Sequence, residues 1–287
     1  MKTTAFPSQF ETADRFANSA RFRFHLLVAA EYGVLLTAGA IGLFGWSGGI
    51  YYAVVAFIFV LSLAIMLFRT FTTPEQDWYR GRALAEAVQS SAWRFMMRCP
   101  PFNKTDKEAE SAYRKTLRRL LDTHEAVVAR MGADADADEV TPEMRAARAL
   151  ALDDRKVLYF KERIEEQRNW YRLKAGRNRR AYERWIAICV AIYVGAVASV
   201  IIRAAAPDWE YSPTEVFIIL ASALLGWIQM KKFSELAASY TLAAHQAGFM
   251  DGPLDDADSE EDFAAVVKDA ESLFGREQAD WVAQGYG

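Results

Sequence analysis

Two apolar runs separated by the dipeptide Gly48-Gly49 restrict the fold of this chain more than any other feature. From Leu26 to Trp46 the only charged residue is Glu31, and from Ile50 to Phe68 there is none. Each run reaches the roughly 17 to 25 residues that a bilayer span requires. Hydrocarbon offers the backbone no partners, and a helix satisfies its own hydrogen bonds within one segment. The pair therefore reads as a transmembrane helical hairpin with spans at about 24–46 and 50–68. A second hairpin follows at about 185–205 and 214–230, and the sequence between and after the two is polar with helical periodicity. The expectation is an all-α membrane protein, with two transmembrane helical hairpins (four spans) plus a cytoplasmic helical bundle.

Charge sets the orientation. The 34 Lys and Arg against 37 Asp and Glu, net -3, give no general attraction to nucleic acid, but they are unevenly placed. Arg15, Arg21 and Arg23 precede the first span, and Arg69, Arg80 and Arg82 follow the second. Arg168, Arg172, Lys174, Arg177, Arg179, Arg180 and Arg184 precede the third, and Lys231 and Lys232 follow the fourth. The connections inside the hairpins, 47–49 and 206–213, hold no Lys or Arg. By the positive-inside rule both termini and the long middle segment are cytoplasmic. Ala38-Gly39-Ala40 has the form of a leader cleavage site, but the leader would be long and the apolar run continues to Trp46, so a retained span is expected. Cys99 and Cys189 fall in a cytoplasmic segment and inside a span, which is no disulfide framework.

Within the first span Glu31 shares a helical stripe with Leu35, Ala38, Gly42 and Gly45. A carboxylate at membrane depth is costly, and small residues let helices approach closely. Glu31, Ala38, Gly42 and Gly45 are thus candidate pore-lining residues. Glu31 also stands about five residues from the start of the span, where pairing with an interfacial arginine is the alternative. The second span, with Tyr51 and Tyr52 at its outer end, reads as lipid-facing or packing. The aromatic and basic segment 1–23 either lies along the membrane surface or packs on the cytoplasmic bundle.

A helix is expected over about 74–98, where Trp78, Arg82, Glu86, Gln89 and Trp93 recur at helical spacing; Trp78, Arg82, Glu86 and Trp93 are candidates for gating or packing. A second runs over about 105–131. Asp134, Asp136 and Asp138 follow, but Glu139 and Arg145 stand where a calcium loop needs Gly and Glu, so this is a linker and the boundary between units 1–139 and 140–287. From Thr141-Pro142-Glu143 one helix is expected to run through 184 into the third span, with Leu150, Val157, Leu158, Phe160 and Ile164 as its apolar face. Arg177, Arg179, Arg180 and Arg184 are candidates for contact with anionic lipid or a nucleotide. Asp251-Gly252-Pro253 is expected to break the helix that follows the fourth span, and Ser259 to cap a last helix through Phe274. No Gly-rich phosphate loop or metal-ligand spacing is present, and His25, His124 and His245 fall in three separate elements. Neither an enzyme nor a cofactor or metal site is expected.

With these residues laid out, the chain resembles two SLATT domains in tandem, the two-transmembrane effector domains found beside bacterial SMODS nucleotidyltransferases and SLOG nucleotide sensors. The first half carries the tight hairpin, the segment from Asp77 to Glu86, Ser91-Ala92-Trp93-Arg94-Phe95 and the Pro100-Pro101-Phe102 stop. The second carries Trp170-Tyr171-Arg172, the alanine-rich helix from Leu236 to Gln246 and the closing segment from Glu271 to Trp281, in which Gly275 and Gln278 depart from the family pattern. The resemblance implies a bacterial inner-membrane protein that forms pores on a nucleotide signal during phage or other conflict. It also implies a homo-oligomer in the lipid bilayer and a nucleotide second messenger or nucleotide-sensing protein as partner. Its alternative is a non-conducting scaffold that anchors such a sensing complex.

Overall fold

The computed structural model describes residues 6–42, 48–132, 138–206 and 214–285, the side chains of Glu215 and of residues beyond 275 excepted. Among these residues all regular structure is helical: α1 (Ser8–Gly42), α2 (Gly49–Thr72), α3 (Pro74–Met96), α4 (Asp106–Thr123), α5 (Glu125–Met131), α6 (Pro142–Ala149) and α7 (Leu152–Tyr159). A π-helical turn, Phe160–Glu165, then leads into α8 (Glu166–Ala205), α9 (Thr214–Lys231), α10 (Phe233–Gly248), α11 (Asp251–Asp255) and α12 (Glu260–Gly285). Four helical stretches, Ser8–Gly42, Gly49–Met96, Leu152–Ala205 and Val216–Asp255, are long and apolar enough to cross a membrane. The chain divides into two compact units. A polar unit comprises Met1–Phe22, Pro74–Arg172 and Thr241–Gly287, and an apolar unit comprises Arg23–Thr73 and Leu173–Tyr240. Both halves of the sequence contribute to each unit.

Local chemistry accounts for most element ends. Thr141 accepts from the Met144 amide at 3.2 Å with Pro142 at the first helical position, and Ser259 accepts from the Asp262 amide at 3.1 Å, so both expected caps form. Gly48, at φ 119, takes the left-handed turn that admits α2 and that a side chain would resist. Pro253 falls inside the short helix α11 rather than in an irregular break.

The helix expected over 141–184 is not continuous. It opens at Leu150 and Ala151, whose ψ angles of 154 and 161 are extended. The carbonyls freed there are taken by side chains: Arg98 Nε donates to Arg148 O at 3.1 Å and Arg155 Nε to Leu150 O at 3.1 Å. The helix expected over 105–131 is likewise divided at His124, whose Nδ1 lies 2.9 Å from Leu120 O.

In the polar unit the first part of α1 packs against α3. Ala13, Ala17 and Ala20 are buried, Phe6 sits 6.1 Å edge-on from Trp93, and a Cβ at Gly81 would come within 3.3 Å of the Ala17 Cα. From Phe6 onward the N-terminal segment thus takes the second of its two expected positions, packed in the helical bundle, and residues 1–5 lie outside the described residues. The core continues through Trp93, Tyr159 and Phe263 on one side and Phe95, Phe102 and Tyr113 on the other, in tilted or edge-on pairs 5.1 to 6.2 Å apart.

In the apolar unit α2 presents large side chains outward, with Phe57 66% and Val60 63% exposed. Close packing falls on glycines. A Cβ at Gly39 would stand 2.6 Å from Ile219, one at Gly226 2.6 Å from the Tyr32 hydroxyl, and one at Gly195 2.8 Å from Phe217.

Candidate functional site

The densest chemistry lies in the middle of the polar unit. Arg155, Tyr159 and Arg163 recur every four residues along α7 and the π-turn, and all three are buried. Val157, expected on the buried face, is instead 53% exposed. Leu150 is exposed too, whereas Ile164 of the same expected face is fully buried; the face is turned only in part, and the arginines on it satisfy groups that no aliphatic side chain could. Arg163 donates from Nε and Nη2 to both oxygens of Glu271 at 3.0 and 2.8 Å, from Nη2 to Glu86 Oε1 at 3.0 Å, and from Nη1 to Gln89 Oε1 at 3.0 Å. Its guanidinium also lies 4.9 Å over the Phe274 ring.

The triad is an ion pair with one carboxylate to spare. The side chains of Arg163, Glu86 and Glu271 are 3%, 5% and 2% exposed, so two negative charges share one buried cation. Arg82 supplies the balance from the edge, reaching Glu86 at 3.5 Å and Asp14 of α1 at 2.9 Å. Tyr159 closes the other end, its hydroxyl donating to Glu271 Oε1 at 2.9 Å. The result is one string, Asp14, Arg82, Glu86, Arg163, Glu271, Tyr159, across α1, α3, α7, the π-turn and α12. Burial works against the charge on Arg163, yet Glu271 and Glu86 outweigh it and raise its pKa further above neutrality. Burial, then the charge of Glu271, keep the Tyr159 phenol well above its ordinary value and protonated as a donor.

Two more buried arginines hold the end of α3. Arg148 donates to Phe95 O at 2.8 Å, Lys104 O at 2.9 Å and Asp106 at 2.9 Å, while Arg155 donates to Met97 O at 3.3 Å and pairs with Glu260. Phe95 O is in the last turn of α3 and Met97 O just past it, where a helix leaves carbonyls short of internal partners, and Lys104 O stands just ahead of α4. Burial lowers the pKa of Arg148, with Asp106 opposing. Burial also pushes the neighbouring Cys99 thiol up to about 12, which leaves it unreactive. The arrangement is a lock, in which moving α3, the π-turn or α12 strands a buried charge, while the Asp14 to Arg82 pair at its edge is about a third exposed.

Of the residues singled out in the sequence, Arg82, Glu86 and Trp93 meet here, with Trp93 1% exposed. Trp78 lies apart, stacked on Tyr79 at 4.9 Å. Sequence reasoning missed Asp14, Tyr159, Arg163 and Glu271; the four-residue repeat of Arg155, Tyr159 and Arg163 was a signal for two of them, and nothing local marked Asp14 or Glu271. In the apolar unit Glu31 pairs with Arg69 at 3.1 Å, the two side chains 21% and 32% exposed. Ala38 is half-buried and Gly42 exposed, while Gly45 lies outside the described residues. The close-contact stripe of α1 is Tyr32 and Gly39, one residue along from the expected one. Arg177, Arg179, Arg180 and Arg184 are all exposed on α8, with Arg179 paired to Glu183 at 3.1 Å. Arg203, which the reading of hairpin charge passed over, stands in the last turn of α8. Among the described residues no His, Cys, Asp and Glu group could hold a metal.

Residues 7–156 match SMODS and SLOG-associating 2TM effector domain 3, and residues 159–281 match SMODS and SLOG-associating 2TM effector domain 1. The chain belongs to the SLATT family. It is a tandem SLATT protein, and its two effector domains and four apolar stretches make it a multi-pass membrane protein. The buried string draws on both SLATT domains: Asp14, Arg82 and Glu86 come from the first and Tyr159, Arg163 and Glu271 from the second. No curated protein and no solved structure matches the chain.

Proposed function

We propose that this tandem SLATT protein is an oligomeric pore-forming or ion-channel effector of the bacterial inner membrane. Both termini are cytoplasmic, and the polar helical unit gates the spans in a nucleotide-signalled defence system. One observation carries the reading: α1 begins among the locked helices of the polar unit and ends, without a break, as an apolar span. A helix that long transmits a shift at Asp14 to its far end, because its hydrogen-bond ladder resists bending. Release of the Arg82 to Asp14 contact is then the trigger, and the apolar outer face of α2 meets lipid or further copies. A single copy with four spans is too thin to enclose a conduit, so assembly is part of the claim. The polar unit binds rather than catalyses, and no nucleic acid takes part.

A second reading has its own support. The Glu31 to Arg69 pair neutralises the one carboxylate that the first span could offer a permeant cation, which suits a non-conducting anchor for a nucleotide-sensing complex. Single-channel recording of purified protein in planar bilayers, across a salt gradient and at both polarities, separates the two. Discrete steps with a defined reversal potential support the channel. Silence from verified insertions of the wild type and of Arg82→Ala, which opens the lock, refutes it and leaves the anchor.

A further inference from the structure

Between α3, α4 and the start of the last turns of α12, the polar unit encloses a cleft of about 370 Å³. Most of its wall is small or apolar, with Ala83, Ala87, Phe102 and Leu120 contributing. Its polar edge includes Glu86, Ser91 and Arg94. Two of these groups are incompletely used. Ser91 is 7% exposed, and its Oγ and the Arg94 Nε are buried without a hydrogen-bond partner among the described residues. Arg94 spends one Nη2 proton on the Pro100 carbonyl at 2.5 Å and has no carboxylate within ion-pair range among the described residues. Glu86, by contrast, is already committed to Arg82 and Arg163.

Buried donors without acceptors are rare because each costs desolvation that nothing returns. Here two of them border a space in the roughly 300 to 1,000 Å³ range of small-molecule sites, at the end of an apolar wall. The uncompensated charge on Arg94 calls for an anion. One guanidinium in a mostly apolar wall compensates one negative charge, which disfavours polyphosphates. We propose that this cleft binds a singly anionic, largely apolar small molecule whose anionic oxygen accepts from Arg94 Nε and Ser91 Oγ. Because Glu86 borders both the cleft and the buried string, the occupant touches the lock directly. The site stands whether or not the protein conducts.

The test uses full-length protein in phosphatidylcholine nanodiscs, with 6-fluoro-2-naphthoate as probe, read by fluorine NMR. Its neutral counterpart is 6-fluoro-2-naphthamide. A Cβ built at Gly275, on the rim of the cleft, meets nothing within 4 Å, so the position accepts a side chain, and Gly275→Phe is the variant chosen to block the mouth. Saturable naphthoate binding is expected in the wild type. It should weaken at least tenfold in Arg94→Gln, weaken in Ser91→Ala and vanish in Gly275→Phe, with the amide at least tenfold weaker throughout. Arg94 also holds the Pro100 carbonyl, so if Arg94→Gln does not fold, Ser91→Ala and Gly275→Phe decide. Binding that does not saturate, that equals partition into empty nanodiscs, or that survives Gly275→Phe overturns the assignment.

Discussion

Replacing Arg163 with Met keeps most of the side-chain volume and removes the charge, leaving Glu86 and Glu271 facing each other at 5% and 2% exposure. Four hydrogen bonds go with it, two to Glu271 and one each to Glu86 and Gln89. Removing one partner from a buried ionic group costs about 3–5 kcal/mol, chiefly because the partners stay buried without compensation. For a chain of this size about 1 kcal/mol moves Tm by roughly 2–4 °C, so a fall of about 6–20 °C is expected. Tryptophan fluorescence during heating reads it, since Trp93 lies 5.6 Å from Tyr159 at one end of the string. The same logic requires a rescue. Glu86→Gln with Glu271→Gln in the Arg163→Met background removes the stranded charges and should return most of the loss. Arg179→Met, at an ion pair 79% exposed on its arginine side, should move Tm by about 2 °C or less. If Arg163→Met shifts Tm no more than Arg179→Met does, the string does not hold the bundle and the lock is refuted.

Three further outcomes can be checked. Since burial raises the Cys99 thiol to about 12, only about one molecule in a thousand carries the thiolate at pH 9. Iodoacetamide in a Cys189→Ala background should label Cys99 only after denaturation, and labelling of the folded protein would contradict its burial. Gly226→Leu places atoms where the Tyr32 hydroxyl lies, 2.6 Å from the added Cβ, and overpacking of this kind costs about 1–3 kcal/mol. Gly33→Leu, with nothing within 4 Å, is its matched control, and equal melting of the two variants would deny the α1 to α9 contact. Changing Arg177, Arg179, Arg180 and Arg184 together to Gln should weaken the reconstituted protein's preference for anionic over neutral lipid by about 1 kcal/mol per residue, read by the anionic lipid it retains from mixed bilayers on purification.

The spans were legible because hydrocarbon imposes one rule on a whole segment, and the 45-residue region around Gly48-Gly49 obeys it without help from other parts of the chain. Thr141 and Ser259 were legible for a similar reason: a cap needs only its own next three residues. The buried string was not. Periodicity assigns Arg155 and Arg163 to water on polarity alone, and only the carbonyls ending α3 and the carboxylates of Glu86 and Glu271 make their burial favourable. Those partners lie 58 to 108 residues away. The same blindness moved the narrow stripe of α1, because Gly39 is distinguished from Gly42 only by the presence of Ile219. At His124 and Leu150 the local pattern favoured continuous helices, and the structure divides them, with a side chain meeting a backbone carbonyl at each division.

The π-turn at Phe160–Glu165 gives the buried string a surplus residue that can be edited. A π-turn is an α-helix carrying one residue more, which the wider turn absorbs. Deleting one residue there would restore a regular helix and leave the residues beyond it in nearly their present phase. Composition, hydropathy and length would hardly change. Which side chain between 160 and 165 meets Glu86 and Glu271 therefore depends on an insertion that an inventory of residues would never notice, and two such proteins differing by that single residue would differ at the lock and not in their spans.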